Sequence, residues 1–185
     1  MLSSKSSDRT PLRPGDVVAS AYRVEKVLGA GAMGAVVAAV DLRSGALVAI
    51  KCLLPEHARD ESLVRRFRRE ALVGMALKGP CSVRILGVGT IDPPWEGAPR
   101  LPYMVMEHLR GIELGSLLRL KGPLEPALAA GYIAQACSAL AEMHALGVVH
   151  RDVKPANLFV TPAPDGGALI KLLDFGVARL PDRAA

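Results

Sequence analysis

The sequence predicts an α+β fold, a small β-rich lobe followed by a helical one. Three observations carry that expectation. The runs "YRVEKVLG", "AVVAAVDL" and "ALVAIKCLL" are β-rich and separated by "AGAMG" and "RSG", whose glycines suit tight turns between antiparallel strands. "ESLVRRFRREALVGMALKG" places Leu63, Phe67, Gly74 and Leu77 at helical spacing. After Gly111 the chain turns helical, and a β-rich lobe beside a helical one leaves a cleft, the usual place for a ligand.

In order, the three strands from Tyr22 to Leu54 form a meander, and the helix after them is expected to end near Gly79-Pro80. "SVRILGVGTI" and "PYMVMEHL" read as two further strands, joined by "DPPWEGAPR", too rich in proline to be regular. A short helix "ELGSLLRL" follows, then a turn at "KGP". A long helix from about Pro126 to Leu146 carries Ile133, Cys137 and Leu140 on one face and stops at Gly147. Two short strands, "NLFVT" and "LIKLLDF", flank the turn "PAPDGGA". The expected division is a disordered leader over residues 1–20, a β-rich lobe over 21–107 and a helical lobe over 108–185.

Composition narrows the function classes. The chain has 185 residues, half of them hydrophobic, enough for a sizeable core. A net charge of +5 admits an anionic partner, but the arginines of "RRFRR" are the only dense basic cluster and no stacking aromatics interleave with them, which argues against nucleic acid. Cys52, Cys81 and Cys137 lie far apart without a CxxC pair, against a disulfide framework or a zinc site, and a reducing cytoplasm is the simplest home. The opening "MLSSKSSDRTPLRPGD" lacks the apolar stretch of a signal peptide, and no apolar run reaches membrane-spanning length.

Four stretches carry chemistry. "GAGAMGAV" places Gly29, Gly31 and Gly34 in a G-x-G-x-x-G-x-V pattern between two strands, where glycines let backbone amides approach phosphates. The same letters suit a plain hairpin turn, and the strand that follows disfavours a dinucleotide-binding unit, which needs a helix there. In "VAIK", Ala49 and Lys51 share one strand face, and a lysine facing inward needs an anion, although an edge lysine can also snorkel to water. Glu70 falls in the helix series 63, 67, 70, 74, 77, a carboxylate in the buried stripe for which Lys51 is the matching cation. The alternative is an i, i+4 pair with Arg66 on a solvated face. "VHRDVKPANLFV" then packs His150, Arg151, Asp152, Lys154 and Asn157 between apolar runs, the composition of a rigidly held functional loop.

Taken together, the glycine loop, "VAIK", the helix glutamate, "HRDVKPAN" and "DFG" resemble the motifs of a bacterial eukaryotic-type (Hanks-type) serine/threonine protein kinase, in the order that family uses, from about Tyr22 to Leu180. The resemblance implies a protein kinase-like fold, a complete N-lobe with an incomplete C-lobe, and ATP with Mg2+ as cofactors. Lys51 would hold the α- and β-phosphates and pair with Glu70. The loop Leu28, Gly29, Ala30, Gly31, Ala32, Met33, Gly34, Ala35 and Val36 would cover the nucleotide. Val36 and Ala49 would roof the adenine and Phe159 floor it. Backbone groups of Glu107 and Leu109 would bond its edge, and Met106 would guard the back of the pocket.

The resemblance further makes Asp152 the residue that orients or deprotonates the attacking hydroxyl, Lys154 the cation at the transferring group, and Asn157 and Asp174 the magnesium ligands. A lysine two residues after the aspartate is the serine/threonine pattern. His150 is assigned to packing beneath Phe175. Its implied partners are protein substrates, with pairing to another kinase as a further one.

Two departures from the family pattern stand out. Gly74 occupies a helix position where relatives carry a larger apolar side chain, and a mid-helix glycine costs about 1 kcal/mol against alanine. The chain also ends eleven residues after Asp174, so a kinase truncated shortly after "DFG" is expected, with one side of the long helix uncovered. Three readings follow: an active serine/threonine kinase, a kinase-like nucleotide- or partner-binding module with little or no transfer, and a remnant unable to fold.

Overall fold

The structure is a computed structural model that describes residues 10–92 and 99–175. They fall into two compact units, one made of the chain to Ala71 together with Ile85–His108, the other of Leu72–Arg84 and the chain from Leu109 onward. The α+β class is the one found.

In the first unit the strands are β1 (Val17–Val18), β2 (Tyr22–Ala30), β3 (Gly34–Asp41), β4 (Leu47–Leu53), β5 (Ile85–Ile91) and β6 (Leu101–Glu107). They form an antiparallel sheet in the order β1-β2-β3-β4-β6-β5. Period-two alternation splits its residues between faces. Ala35, Val37 and Ala39 of β3 and Val48, Ile50 and Cys52 of β4 join one buried cluster with Val24, Tyr103 and Val105. The opposite face carries Val36 across from Lys51, and Ala49 across from Met106.

Residues 10–20, expected in a disordered leader, are instead ordered against the sheet. Leu12 and Val18 are buried in that cluster, and the segment just before β1 is tied to β2 through Gly15 N–H to Val24 O and Val24 N–H to Asp16 O, both 2.8 Å. Residues 1–9 lie outside the described residues. A two-residue turn, Ala19 and Ser20, joins the strands with both residues left-handed (φ 49° and 53°) and is closed by Ala21 N–H to Val18 O. Polar, turn-forming letters hid a two-residue strand too short to show a period.

A 3-10 turn, Pro55–His57, precedes α1 (Glu61–Ala76). Asp60 starts that helix by accepting from the amides of Ser62 (2.8 Å) and Leu63 (3.3 Å). The helix stops three residues short of Gly79, where the Glu142 carboxylate accepts from the amides of Lys78 and Gly79. Phe67, Glu70, Ala71, Val73, Gly74 and Leu77 are buried, so the expected stripe is the inner face.

In the second unit β7 (Ile112–Glu113), β8 (Leu158–Pro162) and β9 (Ala168–Leu172) form a small antiparallel sheet, with α2 (Leu114–Lys121), α3 (Pro126–Ala145) and a 3-10 turn at Pro155–Asn157. Gly111 is required where β7 begins. Its φ is +149°, and a Cβ there would meet Val160 O at 2.0 Å. Glu125 caps α3 by accepting from Ala127 and Leu128, with Pro126 in the first turn.

The buried face of α3 is not the one expected. Tyr132, Ala136, Ala139 and Met143 face inward, Ile133 is 55% exposed, Cys137 is exposed and Leu140 is half-buried. This helix is apolar almost all round, so its period could not choose a face. The choice is made by Gln135, which accepts from Ile170 N–H (2.7 Å) and donates to Ala168 O (3.2 Å) along β9, and by alanines that allow close approach. Among the described residues, no helix is long and apolar enough to cross a membrane.

Candidate functional site

Alternation along β4 sends Lys51 to the face opposite the buried cluster, and the helical period of α1 sends Glu70 inward, where it is 6% exposed. They meet: Lys51 Nζ donates to Glu70 Oε1 at 2.5 Å. The lysine is therefore not a snorkelling edge residue, nor is Glu70 on a solvated face. A pair removed from water to this extent gains little net stability while making each partner costly to lose.

On the same face Val36 lies directly across from Lys51, and Ala49 across from Met106. Ala35 points into the buried cluster, so it can offer a ligand only its backbone. Glu107 ends β6 opposite Val48 and is half-buried. Leu109, which follows in the second unit, is half-buried as well.

The glycine stretch bridges β2 and β3, with Gly31 N–H donating to Gly34 O at 2.9 Å to close the turn. Its glycines differ in what requires them. A Cβ on Gly34 would sit 2.6 Å from Cys52 O, so the β3–β4 ladder itself excludes a side chain there. Gly29 would meet nothing within 4 Å and Gly31 only Gly34 O at 3.9 Å, and neither has a positive φ. The fold does not need glycine at those two positions. Open space over bare backbone fits a ligand that presses on the amides, as phosphates do. Leu28, Ala32 and Met33 are exposed and Ala30 is half-buried.

One contact at this turn escaped sequence reading. The 3-10 turn after β4 brings His57 Nε2 within 2.8 Å of Ala32 O. A bond to a carbonyl 25 residues away leaves no period or motif in the letters.

In the second unit the segment 149–157 is held as a loop by its own side chains. Asn157, buried, donates through Nδ2 to the Asp152 carbonyl (2.8 Å) and to Asp152 Oδ2 (3.1 Å). Lys154 Nζ donates to the same Oδ2 at 2.8 Å. His150 Nδ1 accepts from Asp152 N–H (3.3 Å), so the ring proton sits on Nε2, which donates to Leu173 O (3.2 Å). The ring is 1% exposed and edge-on to Phe175 with centroids 6.3 Å apart, the packing role expected for it. Leu173 N–H donates to Asn157 O (2.9 Å), which places Asp174 one residue beyond a bond to Asn157.

Two residues here pay a backbone cost: Arg151 (φ 66°) and Asp174 (φ 63°) are left-handed without being glycine, a strain that collects where side-chain placement matters. The Lys154 ammonium, helped by the Asn157 amide against some desolvation, holds the Asp152 carboxyl below its usual range. Asp152 is thus held as an anion that can accept a further hydrogen bond. Phe159 is half-buried on β8. Gly176 of "DFG" lies outside the described residues.

A metal ion fits this set in one way. Among the described residues no group of three or more His, Cys, Asp or Glu could hold one. Asn157 spends its nitrogen on Asp152, which leaves Oδ1 as the atom able to ligate a cation, with the Asp174 carboxylate close in sequence to its backbone partner. Two oxygen ligands with the remainder from phosphates and water is the habit of magnesium.

Comparison with known proteins gives consistent results. A profile of the family described as protein kinase domain matches residues 22–184. The chain is 41% identical over 158 residues to the serine/threonine-protein kinase PknB of Mycobacterium tuberculosis, covering 85% of this chain and 24% of that protein. A probable serine/threonine-protein kinase of Corynebacterium efficiens is 39% identical over 166 residues, covering 90% of this chain and 24% of its own. The chain thus spans about a quarter of the length of the curated relatives it matches. Among solved structures, the kinase domain of Mycobacterium tuberculosis PknI superposes with a TM-score of 0.72 at 31% identity, covering 92% of this chain and 65% of that one.

Proposed function

The chain belongs to the protein kinase family, and from that membership we propose that it carries the nucleotide-binding and catalytic residues for ATP- and magnesium-dependent transfer of the γ-phosphoryl group to serine and threonine hydroxyls of proteins. The observation that supports this most is the Lys51–Glu70 pair, an inward ammonium held on the strand face that also bears Val36 and Ala49. Lys51 binds the α- and β-phosphates, with Glu70 fixing its direction. The bare backbone at Gly29 and Gly31 lies along the phosphates, and Val36, Ala49 and Met106 contact the adenine.

Bound magnesium supplies positive charge to the phosphate oxygens, and Asn157 and Asp174 hold it. Asp152 accepts the hydrogen bond of the attacking hydroxyl and takes its proton as the new oxygen–phosphorus bond forms and the bond to ADP breaks. Lys154 meets the charge of the transferring group. Its place two residues after Asp152 favours serine and threonine over tyrosine. Positioning and charge are what such a reaction needs most. Protein substrates in the cytoplasm, and pairing with a second kinase, belong to the same reading.

The test is transfer from γ-labelled ATP to an acceptor protein, with Asp152→Asn beside the wild type. Loss of transfer with retained ATP binding is expected; equal transfer by both overturns the assignment. The second reading, a nucleotide- or partner-binding module, draws on the exposed Leu128, Ile133 and Cys137 of α3. Binding of ATP with magnesium but no transfer by the wild type favours it.

A further inference from the structure

We propose that His57 is a positioning residue that aims the Gly31–Gly34 turn at the phosphates of the bound nucleotide, an inference that rests on the nucleotide-binding reading. Among the described residues, little else holds the tip of this turn. Gly31, Ala32 and Met33 are exposed, and Gly31 is free of side-chain restraint. Its conformation is therefore set by hydrogen bonds.

Two of these reach it from the segment after β4. Leu54 N–H donates to Met33 O at 3.2 Å, an extension of the β3–β4 ladder, and His57 Nε2–H donates to Ala32 O at 2.8 Å, beyond the ladder's end. A carbonyl can only accept, so the histidine is the donor. Because the peptide is planar and trans, a carbonyl turned toward His57 turns the Met33 N–H of the same peptide unit the opposite way.

The histidine is well placed to impose that direction. It ends a 3-10 turn opened by Pro55, and its own N–H donates to the carbonyl of Leu54, a fully buried residue (3.0 Å). Ala58 N–H to Pro55 O (3.2 Å) and Asp60 N–H to His57 O (3.1 Å) fix the turn on both sides. His57 thus joins a rigid support to the most mobile kind of backbone, and a tip held in place before binding loses less entropy on meeting a ligand.

Three proteins test this: the wild type, His57→Leu, which keeps bulk but removes the donor, and His57→Gln, whose amide can reach the same carbonyl. Binding of magnesium-ATP and of adenosine, which has no phosphates, is measured for each, with amide hydrogen exchange at Gly31 and Leu54 in nucleotide-free protein. The expected result is about fivefold weaker ATP binding in His57→Leu, the scale of one lost hydrogen bond. Unchanged adenosine binding, faster exchange at both amides and recovery in His57→Gln complete the expectation. Equal ATP affinity in wild type and His57→Leu overturns the role of His57 alone. So does an equal loss for ATP and adenosine, or no recovery with Gln. A wild type that binds neither ligand overturns the nucleotide reading and this inference with it.

Discussion

Lys51 and Glu70, nineteen residues apart in sequence, place an ammonium and a carboxylate 2.5 Å from each other with side-chain exposures of 20% and 7%. Removing the cation takes from a buried carboxylate the ammonium bonded to it. Lys51→Ala is expected to lower unfolding stability by about 3 kcal/mol, the low end for breaking a buried pair because some solvent reaches the lysine. Phosphate transfer should fall below detection. Urea unfolding and a transfer assay check both, and Glu70→Gln, which leaves no buried charge on the helix, should cost less stability than Lys51→Ala.

The glycine stretch predicts a separation of effects. Gly34→Ala forces a Cβ against Cys52 O and should lower the denaturation midpoint. Gly29→Ala meets open space at an ordinary φ, so stability should hold or rise by about 0.4–1 kcal/mol as the unfolded chain loses freedom. Only nucleotide affinity should fall in Gly29→Ala. Thermal unfolding beside ATP titration reads the two apart, and a destabilised Gly29→Ala would show that the fold, and not a ligand, claims that space.

Asp152 should titrate below the ordinary aspartate value of about 3.9 because the Lys154 ammonium and the Asn157 amide favour its charged form. With the folded value depressed, its favourable interactions are complete above the unfolded pKa and are lost as pH falls through the folded one. Lys154→Ala removes the leading cause, so the carboxyl should move up toward 3.9, as carbon NMR of the side chain would record. No movement would mean that the ion pair at 2.8 Å does not govern the group.

Much of this was legible because two periods coincide. Counting by two placed Lys51 with Ala49, and counting by the helical repeat placed Glu70 with Phe67, so the pairing followed from two faces that had to meet. The same method failed on α3, where apolar residues surround the helix and Gln135, a polar residue bonded to β9, decides the facing. It also failed at Leu12 and Val18, whose polar neighbours hid them, and at His57, whose partner is a backbone oxygen. Patterns report what a residue avoids or seeks in bulk; single bonds to carbonyls leave no such pattern.

The three cysteines differ in a way that invites use. Cys52 sits inside the sheet cluster with its thiol pushed up to about 11 by burial, and burial also raises that of Cys81. Both are poor targets for alkylating reagents, which attack thiolates. Cys137 stands on the outward side of α3 beside Ile133. A maleimide dye added at one equivalent should settle there without any engineered substitution, which equips the native chain with a fluorescent reporter on the exposed face of α3.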